Sequence, residues 1–173
     1  MNSENYQDSN PDIAQTADPM DVAAGDVDVS FPVLKDGLYR MTITKCEKVA
    51  SKDTASLDDE DPSKRWNFKL TLATTETAVS TSGEQLAEGF TLSNNYLSIS
   101  PTPDYDATKV RKSLAAVLQA CFGAKTQTAP RQWLNDPILV VDSIVEVKIG
   151  HSKPTPKYPT PSNKIAAWVP RKE

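Results

Sequence analysis

Nine residues of this 173-residue chain combine types that grip a polyanion carrying unpaired bases with a spacing that could gather them. Arg65, Asn67 and Lys69 recur at every second position, and Lys153, Lys157, Tyr158, Lys164, Trp168 and Arg171 interleave cations with rings near the basic end. Cations attract phosphates, and an exposed ring offers a base a stacking surface worth about 1–3 kcal/mol. Such a set reads as a nucleic-acid surface that ignores base identity. Plainer readings stand beside it: Arg65, Asn67 and Lys69 also suit an ordinary solvated strand face, and Trp168 also suits a core or a barrel rim. If Ile165, Ala167 and Val169 point inward, strict alternation puts Trp168 outside, but a bulge in a short terminal strand reverses this.

Catalytic chemistry finds less support. The single histidine, His151, follows Gly150 at the end of an apolar alternation and has no identifiable partner, which fits a surface residue better than a general base. The chain has no glycine-rich phosphate loop, no paired-histidine or Cys-x-x-Cys spacing and no nucleophile elbow. Asp58, Asp59, Glu60 and Asp61 lack the spaced order of a calcium loop and read as a solvated acidic run. No catalytic residue, metal site or cofactor is therefore expected. Cys46 and Cys121, far apart in apolar contexts, read as buried thiols of a reducing compartment. With no apolar run near the roughly 18 residues of a membrane span and no signal-like opening, a soluble, unexported chain is expected.

Charge is distributed unevenly. The formal net charge is −4, yet residues 1–30 hold seven acids and no Lys or Arg, so the remaining 143 residues carry 19 bases against 16 acids. From Lys148 onward six bases face only Glu173. The acidic head is poor in apolar residues and cannot bury enough surface to offset the entropy of ordering, so residues 1–30 are expected to form a disordered arm and residues 31–173 the folded domain.

The elements that would position the cations follow from periodicity. Residues 38–49 place Tyr39, Met41 and Ile43 opposite Arg40, Thr42 and Thr44, the period of a strand. A second strand, 65–71, sets Trp66, Phe68 and Leu70 against the polar Arg65, Asn67 and Lys69. A polar connection over 74–89 leads to a third strand, 90–99. The period then changes: Val110, Leu114, Val117, Leu118 and Cys121 form one helical stripe over 106–122, which Gly123 is placed to end. Lys109, Arg111 and Lys112 sit in its first turns against the helix dipole, a mild misplacement that hints at a partner. A loop with Pro130 and Trp133 precedes a fourth strand, 138–149, and 164–169 makes a fifth. Between these last two, Pro154, Pro156, Pro159 and Pro161 stiffen a cation-bearing loop. Five strands with one α-helix between strands 3 and 4 predict a mainly β, OB-fold-like five-stranded Greek-key barrel, closed by the fifth strand.

The segments LKDGLYRMTITKCEKVASKD, RWNFKLTL, VRKSLAAVLQACFG, VEVKIG and YPTPSNKIAAWVP together resemble a phage-encoded family of OB-fold proteins found beside replication and recombination genes. Gly37-Leu38-Tyr39 resembles the family's Gly-x-Tyr before the first strand, and Asn163-Lys164-Ile165 its entry into the last strand. The resemblance spans about residues 31–170 and implies a non-enzymatic single-stranded-DNA-binding protein. It would act in DNA replication or recombination in the cytoplasm of an infected or lysogenic bacterial host, and its partners would be single-stranded DNA and phage replication or recombination proteins. It implies no membrane and leaves homo-oligomer formation open. The pattern departs from the family's cellular counterparts in placing its acidic block at the N-terminus, where it could mimic nucleic acid on a basic surface or contact a partner enzyme. The alternative expectation is a structural phage component, a capsid- or tail-associated barrel with a docking N-terminal arm.

Overall fold

The computed structural model describes residues 32–100 and 107–172. The acidic stretch 1–30, residue 31 and residues 101–106 lie outside the described residues, so the expectations of a disordered arm and of the helix's first residue fall there.

The longest strand, β1 (Gly37–Ala50), organises the rest. It pairs through residues 37–42 with β6 (Ile144–His151) and through residues 41–50 with β2 (Trp66–Thr74), antiparallel in both cases. Within the β2 zone, just past the end of the β6 zone, Thr44 is an extra residue: Ile43 opposes Leu72 and Lys45 opposes Thr71, while the Thr44 hydroxyl donates to the Thr71 carbonyl at 3.2 Å. One extra residue shifts the parity of a strand. Met41 and Ile43 therefore point into the core before the bulge, and Cys46 does so after it. On β2 no bulge intervenes within 66–70, and the expected alternation holds, with Phe68, Leu70 and Leu72 buried.

β5 (Thr91–Ser98) pairs with β2 and β7 (Asn163–Val169) with β6, which makes a five-stranded antiparallel sheet in the order β5-β2-β1-β6-β7. The expected closure does not occur: β5 and β7 come near one another but share no ladder. Both edges are irregular. The β2–β5 register breaks between Leu70 and Leu72, where the Asn95 amide donates to the Leu92 carbonyl at 2.9 Å, and the β6–β7 register breaks at Ala166. Bulged edges lose the regular row of donors and acceptors that ladder closure needs. Helix α1 (Ala107–Phe122) packs against β5, β6 and β7 instead, burying Val110, Leu114, Val117, Leu118 and Cys121. Gly123 ends the helix at φ 96°, a left-handed conformation that only glycine adopts without strain, and its N–H donates to the Gln119 carbonyl.

Three elements depart from the periodicity reading. The polar connection after β2 contains a hairpin, β3 (Ala78–Val79) with β4 (Gln85–Leu86), which buries Ala78, Ser80 and Leu86. The segment read as a loop contains α2 (Pro130–Asn135), which delivers Trp133 into the core centre, stacked on Phe68 with ring centroids 4.7 Å apart. The fourth strand starts only at Ile144, because Asp136 accepts from the Ile138 N–H and turns Pro137–Val140 into a 3-10 helix. Asp142 then takes φ 65° and redirects the chain into β6. No described helix is long and apolar enough to cross a membrane.

Candidate nucleic-acid interface

The nine predicted residues divide between two places. Arg65, Asn67 and Lys69 lie on or beside β2, while Lys153, Lys157, Tyr158, Lys164, Trp168 and Arg171 belong to β7 and the segments flanking it. Strands β1 and β6 stand between the two groups in the sheet.

On β2 the outward face carries Asn67 and Lys69, both partly buried. Register brings Lys69 across from Tyr96 on β5 and Asn67 across from Ser98, so the face gains an aromatic ring that strand periodicity alone does not single out. Tyr96 is 55% exposed. On its other side Lys69 opposes Glu47, but Glu47 is held by Lys45 at 2.8 Å, and Lys69 makes no ion pair among the described residues. Arg65 behaves differently. Its guanidinium reaches Asp53 at 3.3 Å, which commits it to the β1–β2 loop.

In that loop Asp58, Asp59 and Glu60 are exposed, as a solvated acidic run requires, and Lys64 anchors them from beneath. Lys64 runs inward with its side chain 6% exposed and donates to the Leu57 carbonyl at 2.7 Å and to Asp59 at 2.6 Å. A buried ammonium needs such partners to offset its lost hydration. Lys64 and Lys48 also lie 5.1 Å and 4.7 Å from the ring centroid of Trp66, flanking the first residue of β2. Asp53 is held below the usual carboxylate range chiefly by the Ser51 side chain and its own backbone N–H, with Arg65 a smaller contributor.

The β6–β7 connection is a protruding ribbon rather than a featureless loop. Ser152 and Ser162 pair through the Ser152 N–H, the Ser162 N–H and both hydroxyls, and Thr155 and Tyr158 exchange backbone hydrogen bonds of 2.9 Å around a tight turn. Residues 153–162 are exposed throughout. At the turn Lys157 sits 5.4 Å from the centroid of the Tyr158 ring, and Tyr158 is 60% exposed. Four prolines remove N–H groups that would otherwise extend the ladder, so the ribbon presents side chains and little pairing edge. Lys164, across from Gly150, is exposed at its base.

Two predicted residues are placed elsewhere. The bulge at Ala166 puts Trp168 across from the buried Val147, on the core side, where it packs against the core and stays partly buried. An inward ring at that position offers no open stacking platform. Arg171 closes the end of α1: its N–H donates to the Gln119 carbonyl at 3.0 Å and its guanidinium to the Cys121 carbonyl at 3.4 Å. A cation there satisfies orphan carbonyls and complements the helix dipole. His151 is structural too, with Nε2 2.6 Å from the Leu34 carbonyl and Nδ1 3.3 Å from the Asp36 carboxylate. A groove of about 610 Å³ beside the end of α1 sets Asp142 and Glu146 among Arg40, Arg171 and Lys172, a mixture of signs unsuited to a phosphate track.

Comparison with protein-family models, with curated proteins and with solved structures returns no match for this chain.

Proposed function

We propose that this chain is a non-catalytic single-stranded-DNA-binding protein built on an OB-fold-like sheet, of the phage replication or recombination type. The observation that carries the reading is the β6–β7 ribbon, where Lys153, Lys157 and Tyr158 are exposed with no acid among residues 152–162. A stiffened ribbon of cations with an exposed ring matches what unpaired strands require: phosphate neutralisation and a surface for a base. The sheet supports it. In the order β5-β2-β1-β6-β7 a Greek-key barrel would close by joining β5 to β7, the two strands that approach one another here, and OB-folds are commonly only partly closed. In that fold the second and third strands and the loops after the first and fourth bear the ligand, which corresponds to the Lys69–Tyr96 face and to the ribbon.

The test is an anisotropy titration of labelled oligo-dT, duplex DNA and RNA at two salt concentrations. Neutralisation by Lys69, Lys153, Lys157 and Lys164 predicts a slope of log K against log salt of about −3 for single strands. Absence of salt-sensitive binding to any of the three would overturn the reading.

A further inference from the structure

Residues 37–42 of β1 pair with β6, residues 41–42 of them with β2 as well, and the outer side of this half, before the bulge at Thr44, is unlike the half beyond it. Three cross-strand rows lie there. Leu38 opposes Lys148, Arg40 opposes Glu146 and Thr42 opposes Ile144, and β7 extends the first two rows with Ala167 and Val169. Leu38 is 61% exposed and Ile144 47% exposed, and Arg40, Ile144 and Glu146 also line the groove that Arg171 and Lys172 border. Arg40 and Glu146 are in register, yet neither makes an ion pair among the described residues.

We infer that this face docks a second copy of the chain, related by a two-fold axis that runs along the strands between β1 and β6. That operation lays β1 over the partner's β6 at equal height. Arg40 then meets the partner's Glu146 and Glu146 the partner's Arg40, Leu38 lies under the aliphatic stem of the partner's Lys148, and Thr42 covers the partner's Ile144. The alternative two-fold, across the strands, sets Arg40 on Arg40 and Glu146 on Glu146, so charge selects one orientation. The Lys69–Tyr96 face lies on the other half of β1, beyond the bulge, and stays free in the dimer. The inference concerns assembly alone and stands whether or not the chain binds DNA.

Sedimentation equilibrium across the micromolar range is expected to show a dimer for the native chain and monomers for Arg40→Glu and for Glu146→Arg, each of which brings like charges together twice. Mixing the two variants restores both ion pairs across one interface. A heterodimer should therefore form from two monomeric proteins, at least tenfold tighter than either variant self-associates. Misfolding of either variant could not produce that recovery. A monomeric native chain at high concentration, single reversals that leave the dimer intact, or a mixture that stays monomeric would each overturn the inference.

Discussion

Tyr96 stands across from Lys69 on the outward face of the β2–β5 pair, more than half exposed. If a base stacks on it, Tyr96→Ala weakens oligo-dT binding by about 5- to 150-fold, the equivalent of one lost stack. Tyr96→Phe keeps the ring and should keep the affinity; an equal loss in both variants would mean that the hydroxyl matters and stacking does not. The two thiols make a prediction about stability. Burial pushes Cys46 and Cys121 up to about 11 from 9, against the weaker opposing pull of the Trp133 indole and of Ser143 respectively. A thiol that keeps its proton to higher pH when folded contributes stability fully below pH 9, and this is lost between pH 9 and 11, on the order of 2–3 kcal/mol per thiol. Thermal melts should fall over that window and flatten in Cys46→Ala, and Ellman's reagent should label neither thiol at pH 8 until denaturant is added. The contrast between Tyr96 and Trp168 shows what residue types could tell in advance. Both rings were visible in the chain, but which one faces solvent was decided by the bulge at Ala166 and by the β2–β5 register, and neither leaves a mark on local composition.

At the level of elements, strict period-two or helical spacing translated directly into β2, the core of β6 and α1, because each buries one continuous apolar stripe, and into β1 as far as Ile43, where the bulge at Thr44 shifts the stripe to Cys46. Short elements were hidden. α2 is six residues long and is held by a proline start and one buried ring, so it offers no stripe to detect. The start of β7 was legible as Asn163-Lys164-Ile165, yet the function of Asn163 needed the fold: its side-chain oxygen accepts from the Leu34 N–H at 2.8 Å and its amide donates to the Pro32 carbonyl at 3.1 Å. One side chain thereby stands in for a strand partner and ties the start of the domain to the β6–β7 hairpin. Asn163→Ala leaves a partly buried N–H and C=O unmatched and should cost about 1–3 kcal/mol in urea denaturation. The ribbon beyond it should separate stability from binding. Replacing residues 153–161 by Asn-Gly keeps the Ser152–Ser162 pair as the base of a tight turn, so the melting temperature should hold while oligo-dT affinity drops at least tenfold. A fall in both together would mark the ribbon as part of the fold rather than of a binding surface.

For the whole molecule, electrostatics decide whether a chain of net charge −4 can hold a polyanion at all. The seven acids of residues 1–30 account for the sign, since the other residues carry 19 bases against 16 acids. Exposed charges farther apart than about 10 Å are largely screened at 0.1 M salt but not at 0.01 M, so the acidic block should oppose DNA most strongly when salt is low. Deleting residues 1–30 is therefore expected to raise oligo-dT affinity several-fold at low salt, with the two titration curves converging as salt rises toward 1 M. A constant gain at every salt concentration would instead point to a short-range contact made by the arm, which screening does not reach. No gain at any salt would remove the acidic block from the binding equilibrium and leave the ribbon and the Lys69–Tyr96 face to account for affinity by themselves.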